Sequence, residues 1–187
     1  MSRKSRGQQT LTPENTIRKR RIRIRNREEI LSFLWRLCFM AVFIYVLLWK
    51  LFGIALVKTD DMKPRISGGD LLFYYRLAEE YHPDDILVFD VDGEEEISRL
   101  IAVGGDTVDL SMDGVLSIND NTIIESDIFY ATMPYQGGID FPVKLAEDEV
   151  FVLCDFREGA MDSRYYGPVS MNQIKGSAIF VIRRGSL

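Results

Sequence analysis

Apolar positions follow two different rhythms along this chain. Between residues 30 and 57 they run almost unbroken, interrupted by Ser32, Arg36 and Lys50. The uninterrupted core, 37–49, would make a helix of about 20 Å, short of a hydrocarbon core of ~30 Å. Residues 37–57 reach about 30 Å once Lys50 extends its ammonium toward the interface. Trp35 and Trp49 suit interfacial positions. A buried core helix is the competing reading, but so small a downstream domain has no use for one. The pattern predicts a membrane-spanning helix.

Past Lys58 the rhythm changes to short β-rich runs punctuated by Gly, Asp, Asn and Pro. These are LLFYY (71–75), ILVFDV (86–91), ISRLIAV (97–103), TVDLS (107–111), EVFVLCD (149–155) and GSAIFVIRR (176–184). Residues 115–124 read as a hairpin with Asn119, Asp120 and Asn121 at its turn. Residues 126–148, with Pro134, Gly137, Gly138 and Pro142, read as a long excursion. No helical pattern separates the runs, so the prediction is a mainly β, antiparallel domain over 58–187. It follows a basic tail (1–29) and the span (30–57).

Charge orients this arrangement. Residues 1–50 hold 12 Lys/Arg against 3 acids, whereas 51–187 hold 11 against 25, for a net charge of -5. RKRRIRIRNR (18–27) directly before an apolar run favours a cytoplasmic flank meeting anionic lipid over a nucleic-acid partner. The domain after the span is then extracytoplasmic. A cleaved signal peptide is the rival, but the basic region is long and no clear A-x-A site follows. Two cysteines (Cys38, Cys154) and one histidine (His82) give no disulfide framework or metal-ligand spacing, and no cofactor is expected.

Three stretches carry the candidate chemistry. Residues 59–70 read TDDMKPRISGGD, residues 98–106 read SRLIAVGGD, and residues 154–167 read CDFREGAMDSRYYG. In order and spacing they resemble the boxes of type I signal peptidases in their Gram-positive form, G-x-S-M-x-P-T-L-x-x-G-D, K-R-V-I-G-L-P-G-D and G-D-N-R-x-x-S-x-D-S-R-x-x-G. Met62, Pro64, Gly69, Asp70, Arg99, Asp106, Asp155, Asp162, Arg164 and Gly167 match. Asp61 stands in place of the nucleophilic serine, Ser98 in place of the lysine base, and Ala160 in place of the serine that orients that lysine.

The departures fall where the resemblance places chemistry. A Ser-Lys dyad needs a desolvated, neutral lysine to take the hydroxyl proton, and donors to hold the oxyanion. Asp61 has no hydroxyl to activate, Ser98 is no base, and Ala160 orients nothing. Ser98 is expected to donate to the Asp61 carboxylate instead. Asp60 and Asp61 do not make an aspartic dyad, since neighbours on an extended strand point to opposite faces. Ser163 lacks a recognisable base, and an ion pair of Asp162 with Arg164 or Arg99 is the better use of that stretch. The Gly-Gly-Asp turns at 68–70 and 104–106 open no helix and are not phosphate loops.

The resemblance is nearest to the non-catalytic, pilus-associated signal-peptidase-like proteins of Gram-positive bacteria (SipA-type). It implies a membrane protein that supports sortase-mediated pilus polymerisation by holding a pilin or sortase segment. Asp60, Asp61, Met62, Pro64, Ser98 and Arg99 are the expected binding residues, with Asp70, Asp106, Asp155, Asp162 and Arg164 as scaffold. An active signal peptidase with an altered site, and a plain anchored domain without a peptide groove, are the alternatives.

Overall fold

The computed structural model describes residues 13–125 and 128–184, with side chains from residue 26 onward. Residues 1–12 of the basic tail, and the side chains of most of its arginines, lie outside the described part. The chain divides into two units, residues 1–48 and 49–187. The first is helix α1 (Pro13–Leu51), whose stretch Asn26–Leu51 is long and apolar enough to cross a membrane. Its side chains between residues 30 and 49 are exposed.

The helix stops earlier than the apolar run does. Residues 52–57, expected to complete the span, instead supply strand β1 (Phe52–Leu56), which pairs antiparallel with β2 (Leu71–Tyr75). The reason is a two-residue period hidden in the run: Phe52, Ile54 and Leu56 are exposed while Gly53 and Ala55 are buried. A side chain at Gly53 would collide with the Tyr74 ring, so this close approach needs glycine.

The remaining strands are β3 (Ile86–Val91), β4 (Glu94–Ala102), β5 (Thr107–Leu110), β6 (Leu116–Ile118), β7 (Asn121–Thr122), β8 (Val143–Lys144), β9 (Glu149–Leu153), β10 (Val169–Ser170) and β11 (Ile174–Ile182), with a short α-helix, α2 (Ser163–Tyr166), and a 3-10 turn at Met171–Gln173. Two antiparallel sheets result, ordered β1-β2-β11-β3-β4-β9-β10 and β7-β6-β5-β8. The expected β6–β7 hairpin is present, with Asn119 and Asp120 at positive φ, and the 126–148 excursion contributes β8. The chain after the span is thus a mainly β, antiparallel domain.

Alternation on these strands builds the core. Val108, Leu110 and Leu116 of the small sheet pack with Ile101, Phe151 and Leu153 of the large one. A second cluster joins Ala55, Val57 and Met62 to Cys154 and Ala160, with Ile97 of β4 against it. β1 and β4 lie four sheet positions apart, so this shared cluster means that the sheet curls until they meet. Four antiparallel steps make the two strands run in the same direction. β1 has β2 as its one ladder partner, and β4 pairs with β9 only from Arg99 onward. Among the described residues, the far edge of β1 and that of residues 94–98 therefore carry no strand. The outer face of the β1-β2-β11 end is apolar and exposed at Ile54, Leu56, Phe180 and Ile182.

Candidate functional site

The loop after β1 is tied at both ends. The Val57 amide donates to the Asp70 carbonyl at 3.0 Å, and the Gly69 amide to the Val57 carbonyl at 2.8 Å. Asp70, buried, takes the Ser67 amide on one carboxylate oxygen and the Arg184 amide on the other. Asp60 accepts from the Gly68 amide and pairs with Lys63 at 2.8 Å, so its carboxylate is spent within the loop. Met62 and Ile66 anchor the loop in the core, while Pro64 stays on the surface. Asp61 sits partly exposed between these anchors, its carbonyl accepting from the Phe156 amide at 2.8 Å.

Ser98, on β4, is buried and does not pair with Asp61. Its Oγ lies 3.3 Å from Cys154 Sγ, at the end of β9. This corrects the expected Asp61–Ser98 bond, and the cause is the thiol, which occupies the space beyond the hydroxyl. Cys154 stands where the signal-peptidase pattern has glycine, a substitution visible in the sequence but not weighed there. Burial, reinforced by Asp162 and Asp61, pushes the thiol pKa up to about 12, against a smaller opposing effect of the Ser98 bond. Ala160 is buried beside Cys154 in the same cluster, and its carbonyl accepts from the Tyr135 hydroxyl at 2.8 Å.

Tyr166 lies close to Ser98. Its hydroxyl is buried without a hydrogen-bond partner among the described residues, near enough to Ser98 to feel it but outside bonding geometry. Burial, with Cys154, Asp162 and Glu96 nearby, pushes its pKa upward. Two residues before Ser98 on the same strand, Glu96 is half-buried, and its carboxyl is pushed up by burial and then by the Asp61 charge. Glu94, two residues earlier still, pairs with Lys58 at 2.7 Å. Neither acid was singled out from the sequence, because a run of three glutamates reads as a solvated face.

Of the ion pairs offered for Asp162, the one with Arg164 is present. Asp162 pairs with Arg164 at 2.8 Å and caps α2 by accepting the Arg164 amide. Arg99 grips Asp155 through two bonds of 2.7 and 2.6 Å, both side chains buried. That fork holds the guanidinium charged. Asp106 closes its own turn on the Val103 amide and takes an Asn119 amide hydrogen. Ser163 is fully buried, its Oγ accepting from the Val152 amide, which removes it as a nucleophile.

With a pKa of about 12, roughly one Cys154 thiol in 10⁵ is ionised at pH 7. His82, the one histidine, is exposed in a turn whose backbone is held by Asp85. The side chains gathered here are thus a carboxylate (Asp61), a hydroxyl (Ser98), a protonated thiol (Cys154) and a methyl (Ala160).

Comparison with known proteins bears on the scaffold. The family model described as signal peptidase, peptidase S26, matches residues 30–183. Signal peptidase I of Bacillus licheniformis is 33% identical over 145 residues, covering 70% of this chain and 76% of that protein. Signal peptidase I S of Bacillus subtilis strain 168 is 30% identical over 142 residues, covering 70% and 77%. A crystal structure of a signal peptidase I from Enterococcus faecalis V583 is 26% identical, covers 53% of this chain and 97% of that one, and has a TM-score of 0.44. With the match spanning both the apolar helix and nearly all of the β domain, the chain belongs to the signal peptidase family, peptidase S26.

Proposed function

We propose that this chain is a non-catalytic signal-peptidase homologue, anchored in the membrane with its tail inside and its β domain outside, that holds an extended segment of a partner protein. The observation that carries the reading is the Ser98–Cys154 contact at 3.3 Å. Packing has consumed the space a lysine base would need, and Ala160 adds no hydroxyl. Backbone groups on the facing free edges of β1 and β4 do not depend on those lost side chains. An extended segment can pair with such edges by strand addition. The partner is a pilin or a sortase, in sortase-mediated pilus assembly; this part rests on the resemblance of the three boxes. Asp61, partly exposed beside the cleft, is the residue whose substitution reports on it.

The test joins two measurements on full-length protein in detergent. A labelled secretory precursor should give no product at its A-x-A site, and a pilin or sortase should be retained by wild-type protein and lost on Asp61→Ala. A second reading, an active peptidase with an altered site, draws on the relatives, which are named signal peptidase I. Specific precursor cleavage abolished by Asp61→Ala would establish it in place of the first.

A further inference from the structure

Where β1 and β4 meet, the cleft between them carries an unbalanced charge. Leu56, Val57 and Lys58 line one side, Glu95, Glu96 and Ile97 the other. Residues two apart on a strand share a face, so Glu94, Glu96 and Ser98 point the same way. Glu95, on the opposite face, is satisfied by Lys175 at 3.1 Å. Glu96 makes no ion pair among the described residues. It is half-buried, and the neighbouring Asp61 carboxylate repels it while Lys58 draws on it only from a distance. Lys58, the one cation lining this cleft among the described residues, is engaged 2.7 Å from Glu94. That pair is exposed on both sides, and exposed pairs are worth little, so a competing cation displaces it at low cost. The free strand edges can take an extended peptide, whose side chains alternate between faces.

Building on the cleft reading above, we infer that the cleft selects an extended segment bearing Lys or Arg at alternate positions, with Glu94 and Glu96 as its specificity residues. Lys58 then acts as a built-in stand-in for the ligand's cation, holding the cleft closed across Glu94 in the free protein. Glu94 and Glu96 lie about 6.6 Å apart along β4, which is also the spacing of side chains i and i+2 on an incoming strand. One ligand cation meets Glu96 beside Asp61, and the next replaces Lys58 on Glu94. The two edges run in the same direction, so a ligand strand runs parallel to both or antiparallel to both.

Three end-blocked, fluorescein-labelled peptides test this on the full chain in detergent by anisotropy. The first, Thr-Lys-Ala-Lys-Ala-Thr, has lysines on one face. The second, Thr-Ala-Lys-Lys-Ala-Thr, has the same composition with lysines on opposite faces. The third replaces both lysines of the first by norleucine. The first should bind about tenfold tighter than either of the others, an advantage that shrinks in high salt. Glu96→Gln with Glu94→Gln should erase that advantage while leaving norleucine-peptide binding in place, and Lys58→Met should strengthen binding of the first peptide. Equal binding of all three peptides, or a preference that survives the double glutamine change, overturns the inference and leaves the cleft standing. Absence of binding by every peptide, with the domain still melting cooperatively, overturns the cleft reading and the inference together.

Discussion

Cys154 and Ser98 are the two residues that decide what this site can still do. A lysine placed at 98 must run its stem through the volume where Cys154 Sγ now sits, 3.3 Å from Ser98 Oγ. The triple change Asp61→Ser, Ser98→Lys, Ala160→Ser is therefore expected to show no precursor cleavage, because overpacking forces the new side chain off its rotamer. Adding Cys154→Gly reopens the channel, and the quadruple variant is the one expected to show measurable precursor cleavage, since a displaced dyad member costs orders of magnitude in rate. The thiol itself supplies a second prediction. In a Cys38→Ser background, Cys154 should resist iodoacetamide at pH 7–8 until the protein is unfolded. Its folded pKa of about 12 lies above the ordinary value of 9.0, so the folded state favours the protonated form. The stability it contributes is intact below pH 9 and is lost as pH rises through about 12. Melting measured from pH 8 upward should fall over that window, and Cys154→Ala should flatten the fall.

At the scale of elements, paired charges hold the strands that surround the site. Arg99 on β4 and Asp155 just past β9 are both buried, and β4 meets β9 at Arg99–Leu153. Removing one partner strands the other charge in the core, so Asp155→Ala is expected to cost about 3–5 kcal/mol, read from urea unfolding of the domain. The sequence made this scaffold largely legible: the strand runs, the β6–β7 turn and the Asp162–Arg164 pair all follow from alternation and local chemistry. Two things were not legible. The end of α1 was hidden because Phe-Gly-Ile-Ala-Leu (52–56) is apolar throughout, and only the Tyr74 ring across the sheet reveals why Gly53 and Ala55 alternate with large residues. The Arg99–Asp155 pair was hidden too, because the two residues stand 56 apart in sequence and are brought near by the β4–β9 ladder. Non-local pairing is the common cause of both misses.

The whole molecule is organised by charge as much as by fold. Its first 50 residues hold 12 cations against 3 acids, and the rest of the chain holds 25 acids against 11 cations. Positive flanks stay on the cytoplasmic side of a membrane helix, while a large following domain is translocated largely regardless of its charge. Helix α1 supplies one stretch able to cross, Asn26–Leu51, and the β domain begins at once with β1. If α1 crosses once, every site residue from Asp61 to Arg164 stands outside the cell, where an exported pilin can reach it. Protease added to intact protoplasts should then digest the chain beyond about residue 58 in its exposed loops, leaving a fragment that an antibody to the N-terminal tail still detects. The reverse pattern, loss of the tail epitope with the β domain intact, would place the cleft on the cytoplasmic side. An extracellular partner would then have no route to Glu94 and Glu96, and the pilus role would fall with it.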